Sequence, residues 1–209
     1  MDRYRFEKQL WSEGYRRIMG LDEVGRGCLC GPVVAAGVII QPDNPLNREV
    51  ADSKALNRQE REKLAYEIME ESEFWTIQEV SAQEIDRLNI LKASLQAMVH
   101  CTEKPGADPD YLLVDGNRFV PSLIRYQCVV SGDDLSASIA AASILAKVYR
   151  DNLMRELHRD YPVYGWDSNV GYPTRKHYEG LKRFGYTKHH RKSFRLKTEK
   201  PYSRQPGKK

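Results

Sequence analysis

Apolar runs and helical periodicities follow one another along the chain and predict a sheet covered by helices. Residues 18–21 and 32–40 are apolar without polar alternation, which is typical of strands buried on both faces. Further strands are predicted over 74–80, 111–114 and 123–130. Helices are predicted within 1–15 and over 58–71, about 89–103, 136–157 and 174–185. Strands come first and then alternate with helices, so we expect a mixed α/β sheet and not a purely parallel one.

Local signals predict helix N-termini at two positions. Asn57 is followed three residues later by Glu60, and Ser81 by Glu84, the spacing of a capping box at a helix N-terminus. Prolines and glycines in 104–109 and 165–173 predict loops.

Composition fits one main domain with an unevenly placed charge. The chain has 209 residues, 41% of them hydrophobic, and a net charge of +4. From Lys182 onward the chain has eleven Lys and Arg residues and one acid. Residues 1–181 therefore carry 22 basic and 28 acidic residues. A basic end on a mildly acidic body favours contact with a polyanion such as nucleic acid. A solvated, disordered tail explains the last ten residues equally well.

The cysteines and the apolar runs bear on location. Cys28, Cys30, Cys101 and Cys128 include no Cys-x-x-Cys pair and so lack the spacing of a zinc site. No apolar run approaches the ~18 residues of a membrane span, and the first residues carry no signal sequence. We therefore expect a cytoplasmic protein with free thiols and no membrane association.

Acidic residues follow three of the predicted strands: Asp22-Glu23, Asp115 and Asp133-Asp134. Clustered carboxylates repel unless cations bridge them, and oxygen ligands suit Mg²⁺ or Mn²⁺. Two such ions stabilise the attacking and leaving oxygens of a phosphoryl displacement. Each acid alone is an ordinary turn residue, and the prediction rests on their joint occurrence. Asp151 has Lys147 and Arg155 four residues to either side, which favours an ion pair on a helix face.

Several other residues are candidates for contact with a nucleic acid. Gly25-Arg26-Gly27 follows the first acids and could bring backbone groups close to a sugar hydroxyl, although a simple tight turn explains it equally well. Tyr172 could stack on a sugar or base, or belong to the core. We interpret residues 189–192, which include Arg191, as phosphate-facing and not metal-binding, because no third nitrogen or sulfur ligand stands nearby. Lys54 is a phosphate-binding candidate or a solvated loop lysine.

Eight ordered segments make the chain resemble the type 2 ribonuclease H family, in its bacterial ribonuclease HII branch. They are DEVGRG at 22–27, GPVVAA at 31–36, DSK at 52–54, LVDGNR at 113–118, GDD at 132–134, AASILAKVYRD at 141–151, GYPT at 171–174 and HHRKSF at 189–194. Cys28-Leu29-Cys30 departs from the family, which more often has Pro and a small residue there.

The resemblance implies a ribonuclease H-like α/β fold: a mixed five-stranded sheet flanked by helices, with a small C-terminal helical extension. It divides the chain into an N-terminal extension (1–15), a catalytic core (16–160), a C-terminal extension that completes the substrate site (161–198) and a basic tail expected to be disordered (199–209).

By position, the resemblance makes Asp22, Glu23, Asp115 and Asp133 the catalytic, metal-binding carboxylates, and excludes Asp134 and Asp151. It assigns Gly25, Arg26 and Gly27 to the 2′-hydroxyl and Tyr172 to the neighbouring deoxyribose.

The implied activity is hydrolysis of RNA in RNA/DNA hybrids and incision 5′ of ribonucleotides in duplex DNA, by a monomer that uses two Mg²⁺ or Mn²⁺ ions. Two alternatives remain open: a different two-metal nuclease of similar fold, and a non-catalytic protein that binds hybrids.

Overall fold

The structure, a computed structural model, describes residues 2–46 and 56–196 and contains a mixed five-stranded sheet. Its strands are β1 (Ile18–Val24), β2 (Val33–Ile39), β3 (Phe74–Val80), β4 (Tyr111–Asp115) and β5 (Arg125–Val129). They are ordered β3-β2-β1-β4-β5, so β1 lies at the centre. β1 runs antiparallel to β2 and parallel to β4. The predicted mixed sheet is confirmed.

Helices cover both faces of the sheet. They are α1 (Arg5–Ser12), α2 (Arg58–Glu71), α3 (Ala82–Leu88), α4 (Ile90–Thr102), α5 (Gly132–Leu135), α6 (Ala137–Asp160), α7 (Trp166–Asn169) and α8 (Arg175–Phe184), with a 3₁₀ turn at Pro162–Tyr164. The capping box of α2 is confirmed: Asn57 Oδ1 accepts from the Glu60 amide at 3.1 Å, and Glu60 Oε2 accepts from the Asn57 amide at 2.9 Å.

The continuous apolar run in β2 is explained by burial on both faces, since all seven of its residues are buried. Val34, Ala36 and Val38 pack toward α2 and α6. Val33, Ala35 and Ile39 pack in the cluster that contains Ala93 and Ala97 of α4. The strand therefore lacks the polar alternation of a half-exposed sheet.

Several details differ from the sequence prediction. β1 continues to Val24, past the predicted end at residue 21, so Asp22 and Glu23 lie within the strand and do not follow it. The last strand is Arg125–Val129 and not 123–130, and the predicted loop 165–173 contains the short helix α7. The Asp133-Asp134 turn is one helical turn, α5.

The C-terminal segment packs onto the turn that follows β1. Tyr164, Trp166 and Leu181 form one buried cluster with Leu29 and Met154. The Leu29 amide donates to the Gly171 carbonyl at 2.8 Å. This contact brings the Gly171-Tyr172 region beside the residues just after Asp22 and Glu23. The predicted tail 199–209 lies outside the described residues. Among those that are described, no helix combines the length and apolar character needed to span a bilayer.

Candidate active site

Two of the predicted carboxylates lie on the neighbouring parallel strands β1 and β4. Leu21 of β1 stands opposite Val114 of β4, so Asp22 and Asp115 follow side by side at the same end of the sheet. Glu23 is the next residue of β1. The parallel pairing thus joins acids that are more than ninety residues apart in the sequence.

Asp133 joins this group through the backbone of α5. The Gly132 amide donates to Asp115 Oδ1 at 2.7 Å, and the Asp133 amide also donates to the Asp115 carboxylate. Asp133 is half-buried, whereas Asp134 is exposed. Of the two acids, Asp133 is therefore the one tied to the Asp115 site, in agreement with the assignment that the resemblance implies.

Burial and mutual repulsion disfavour ionisation of Asp22, Glu23 and Asp115. Burial is the main cause that raises the pKa of Asp22 well above its usual value, and the charges of Asp115 and Glu23 raise it further. Burial also raises the pKa of Glu23, against the lowering effect of Arg26, and the pKa of Asp115. A bound cation would relieve this cost. Because every donor is a carboxylate oxygen, the set fits Mg²⁺ or Mn²⁺ and not the sulfur and nitrogen preference of zinc.

Gly25 allows the turn after the acids to pass over a buried arginine. Its φ is +94°, and a Cβ atom there would lie 2.2 Å from Nε of Arg150. Both the backbone conformation and the contact require glycine. Arg150 is fully buried and donates to the carbonyls of Cys30, Pro32 and Val170 at 2.8–3.0 Å. This arginine therefore holds the turn in place from the buried side.

Arg26 and Gly27 form the exposed part of the turn. The Arg26 guanidinium pairs with Glu23 Oε1 at 3.0 Å. A Cβ atom at Gly27 would lie 3.7 Å from the Tyr172 ring, so this ring and the turn are neighbours. Tyr172 is 40% exposed, and its hydroxyl donates to the Cys28 thiol. The acids, the glycine turn and the exposed tyrosine ring lie next to one another.

The placement of Arg191 corrects the prediction that it faces substrate phosphate. Its side chain is 1% exposed. The guanidinium donates to the carbonyls of Arg26 and Gly31 at 3.0 Å and of Pro32 at 3.1 Å. Side chains in a basic run are usually solvated, but here the carbonyls of the turn accept hydrogen bonds from the Arg191 guanidinium. Arg191 therefore holds the turn from the C-terminal side.

A second correction concerns the histidines. A third potential ligand does stand near His190: its ring, the His177 ring and the Cys30 thiol offer ligand atoms within 4.8 Å of one another, and all three residues are buried. Distant residues supply the two partners, so adjacent positions in the sequence could not reveal them.

Hydrogen bonds account for the ring nitrogens of this cluster. His177 Nδ1 lies 3.0 Å from the Tyr172 carbonyl and must carry a proton, so its Nε2 accepts. Trp166 Nε1 donates to that Nε2 at 3.2 Å, and His190 Nε2 lies 3.1 Å from it. His190 Nδ1 accepts from the Thr187 amide at 2.9 Å, which places the His190 proton on Nε2. Burial also lowers the pKa of His190 to about 4. We assign the cluster to packing of the C-terminal segment.

Other predictions have mixed outcomes. Asp151 pairs with Lys147 at 2.8 Å, as predicted, whereas Arg155 contacts Asn152 and Glu62. Lys54 lies outside the described residues.

Sequence reasoning missed Ser143 and Arg150. The Ser143 hydroxyl hydrogen-bonds to Asp22. Both residues belong to the 141–151 segment that carries the resemblance, which was the available signal, but no spacing shows that they face the site.

A groove of about 250 Å³ opens beside the carboxylates. It is lined by Glu23 and Arg26 on one side, by Asp115, Asn117 and Arg118 on another, and by part of α4. Cationic and anionic side chains thus share one concave surface, which suits a phosphate backbone together with bridging cations.

Comparison with known proteins agrees with this site. The family model of Ribonuclease HII matches residues 19–197. The Ribonuclease HII of Salinibacter ruber is 49% identical over 194 residues, covering 91% of this chain and 96% of that protein. The Ribonuclease HII of Porphyromonas gingivalis is 50% identical over 182 residues, covering 86% of this chain and 89% of that protein.

A solved structure has the same fold. The structure of the PCNA:RNase HII complex from Archaeoglobus fulgidus superposes with a TM-score of 0.72 at 25% identity, covering 88% of this chain and 97% of that chain. The predicted ribonuclease H-like architecture is confirmed. Since the family model spans most of the chain and relatives are about half identical over nearly their whole length, the chain belongs to the ribonuclease HII family.

Proposed function

We propose that this chain hydrolyses RNA in RNA/DNA hybrids and incises duplex DNA 5′ of an embedded ribonucleotide, with Asp22, Glu23, Asp115 and Asp133 as its catalytic carboxylates. One observation carries the assignment of the site: these four acids meet at one end of the sheet beside the Gly25–Gly27 turn. The reaction would leave a 3′-hydroxyl and a 5′-phosphate. Its role would be removal of misincorporated ribonucleotides and RNA primers.

The four carboxylates would hold two Mg²⁺ or Mn²⁺ ions. When bound, such ions supply an activated water and stabilise the leaving oxygen of an in-line displacement. The protein contributes the orientation of the ligands. Ser143 and the Glu23 amide fix Asp22, and the Gly132 and Asp133 amides fix Asp115.

Discrimination of RNA from DNA would come from the glycine turn and Tyr172. Glycine lets a backbone group approach the 2′-hydroxyl, the group that separates the two sugars. Tyr172 presents a partly exposed ring next to Gly27, where it could stack against the adjacent deoxyribose. The Arg150 and Arg191 guanidiniums would keep this turn in place without touching the substrate. We further propose a cytoplasmic monomer, in keeping with its four free cysteines.

Cleavage of a matched pair of duplexes tests this function. The two duplexes differ in one embedded ribonucleotide, and each is incubated with Mg²⁺ and with Mn²⁺. We expect incision only of the ribonucleotide-containing duplex. Asp115→Asn removes one ligand charge with little change of shape and should lower the rate by about 100-fold or more. Asp134→Asn, the same substitution at the exposed neighbour of Asp133, is the control and should retain normal rates.

Three results would contradict the proposal. Equal cutting of both duplexes would favour a different two-metal nuclease, and no product with either metal would favour a binding protein. Normal cleavage by Asp115→Asn would remove Asp115 from the site.

A further inference from the structure

The N-terminal helix α1 packs against the segment that carries Asp133, although it precedes the part of the chain matched by the family model. Glu7 of α1 is 1% exposed. Its Oε1 accepts hydrogen bonds from Ser136 Oγ at 2.5 Å, from Ser138 Oγ at 2.7 Å and from the Ser138 amide at 3.0 Å. A buried acid on a short terminal helix thus connects to residues immediately after the proposed ligand Asp133.

These contacts complete the N-terminus of α6. The first four amides of a helix have no partner within it. In α6 the Ala137 amide donates to the Arg3 carbonyl at 3.0 Å, and the Ser138 amide donates to Glu7. Of the other two, the Ser136 amide donates to the Gly132 carbonyl and the Ile139 amide donates to Ser136 Oγ. Residues 3–7 therefore supply half of the capping of this helix.

The N-terminus of α6 determines the position of two proposed metal ligands. Asp133 belongs to the one-turn helix α5, which only Ser136 separates from α6. Arg3 Nη1 also approaches the Asp133 carbonyl at 3.4 Å. The first turn of α6 also contacts β1. A Cβ atom at Gly20 would lie 2.2 Å from the carbonyl carbon of Ser138, so the two backbones are in direct contact there. Gly20 precedes Asp22 by two residues. A shift of Ser138 would therefore displace both α5 and β1.

We propose that Glu7 is a positioning residue for the metal site, which it acts on by fixing the Ser136–Ser138 turn and, through it, Asp133. The inference rests on the proposed function, because it takes Asp133 as a metal ligand. It extends that function by giving the N-terminal segment a part in the active site. Glu7 touches neither the ligands' carboxylates nor the groove.

A purely structural role for α1 is the competing explanation. Leu10 of α1 is 4% exposed and packs with Ile18, Leu113 and Ile139, so the helix also covers part of the core. Under that explanation, loss of Glu7 lowers stability and leaves the metal affinity of the folded protein unchanged. Under the proposal, metal affinity falls in protein that is fully folded.

Calorimetric titration of the full chain with Mn²⁺, without substrate and well below the unfolding temperature, separates the two. For Glu7→Ala we expect the Mn²⁺ dissociation constant to rise about tenfold, at the low end of what loss of ligand support costs. Glu7→Gln keeps an acceptor oxygen and should recover most of the affinity. Gln9→Ala, at an exposed position on the same helix, should match the wild type. If Glu7→Ala fails to fold, Glu7→Asp keeps the charge but withdraws the acceptor by one methylene, and should show the same loss.

The control for a general loss of stability is Ile85→Ala. This substitution creates a cavity beside α3, on the face of the sheet opposite α6. Unchanged Mn²⁺ affinity in this variant, at a comparable loss of unfolding temperature, supports the proposal. A similar weakening in Ile85→Ala, or wild-type affinity in folded Glu7→Ala or Glu7→Asp, overturns it. Asp133→Asn tests the premise separately: wild-type Mn²⁺ binding by that variant would refute the metal site itself, whatever Glu7 does.

Discussion

Asp22 is 7% exposed, and its burial near two other acids raises the pKa of its carboxyl group. A carboxyl whose pKa is higher in the folded than in the unfolded state binds protons preferentially when folded. Its contribution to the free energy of unfolding is therefore most favourable at low pH and declines as the pH rises through the raised pKa. Above that raised pKa and without metal, the ionised side chain destabilises the fold. The proposed metal site requires this charge, whereas folding alone does not.

We predict that Asp22→Asn abolishes incision and yet raises the unfolding temperature of the metal-free protein at pH 8. The amide oxygen can still accept from Ser143 and the Glu23 amide, and for a chain of this size each kcal/mol recovered adds about 2–4 °C. Thermal unfolding in EDTA measures the shift, which should shrink as the pH falls and wild-type Asp22 becomes protonated. Added Mg²⁺ should stabilise the wild type more than the variant. A lower unfolding temperature for the variant in EDTA at pH 8 would contradict this account.

Single residues also show what a sequence can and cannot reveal about a site. Asp22 and Glu23 stand out as candidates because carboxylates at the end of an apolar strand are unusual in combination with a glycine turn. The basic residues around Arg191 predict a surface cation. Nothing in that local sequence indicates that the carbonyls of Arg26, Gly31 and Pro32 accept hydrogen bonds from its guanidinium. Its burial depends on partners about 160 positions away, which no local pattern encodes.

At the scale of elements, long and strongly patterned segments were predictable and one-turn helices were not. α2 has a capping box and an apolar face, and its bounds Arg58–Glu71 agree with the prediction. α5 and α7 have four residues each, too few to show a period. Both are stabilised by their surroundings: the Asn169 side chain, for example, donates to the Tyr164 carbonyl at 2.8 Å. Tertiary contacts outweigh intrinsic propensity in such short helices.

The C-terminal segment is attached to the glycine turn by Arg191, so we predict that Arg191→Lys loosens this connection. Lysine keeps the charge, but its donors all leave one nitrogen and cannot span the three carbonyls that Nε, Nη1 and Nη2 of Arg191 reach. Loss of about two charged hydrogen bonds costs roughly 3 kcal/mol or more, or roughly 6–12 °C in unfolding temperature. Lys192→Ala is the matched control, because its side chain is exposed and adjacent. Equal unfolding temperatures for the two variants would show that Arg191 does not hold the turn.

At the scale of the whole molecule, the active site depends on which strands pair. The sequence predicts that acids follow three strands, but it does not specify that β4 lies directly beside β1. The resemblance assigned Asp22, Glu23 and Asp115 to one site, but it did not give the strand order that brings them together. Segments outside the resemblance had no such guide, which is why the contact between Glu7 and the α6 N-terminus could not be anticipated: its partners are about 130 residues apart.

Charge distribution over the whole chain leads to a last prediction, about the tail. Residues 199–209 carry four basic residues and one acid, whereas residues 1–181 carry 22 basic and 28 acidic ones. If the tail binds the duplex backbone, its deletion should raise KM at low salt and leave kcat unchanged, because the carboxylates are untouched. The slope of log affinity against log salt concentration should become shallower by about 0.9 for each phosphate that the tail neutralises in the full chain. Affinity measured across a salt series for the full chain and for residues 1–198 tests this. An unchanged slope would mean that the tail is a solvated segment and that the folded part of the chain provides the electrostatic attraction.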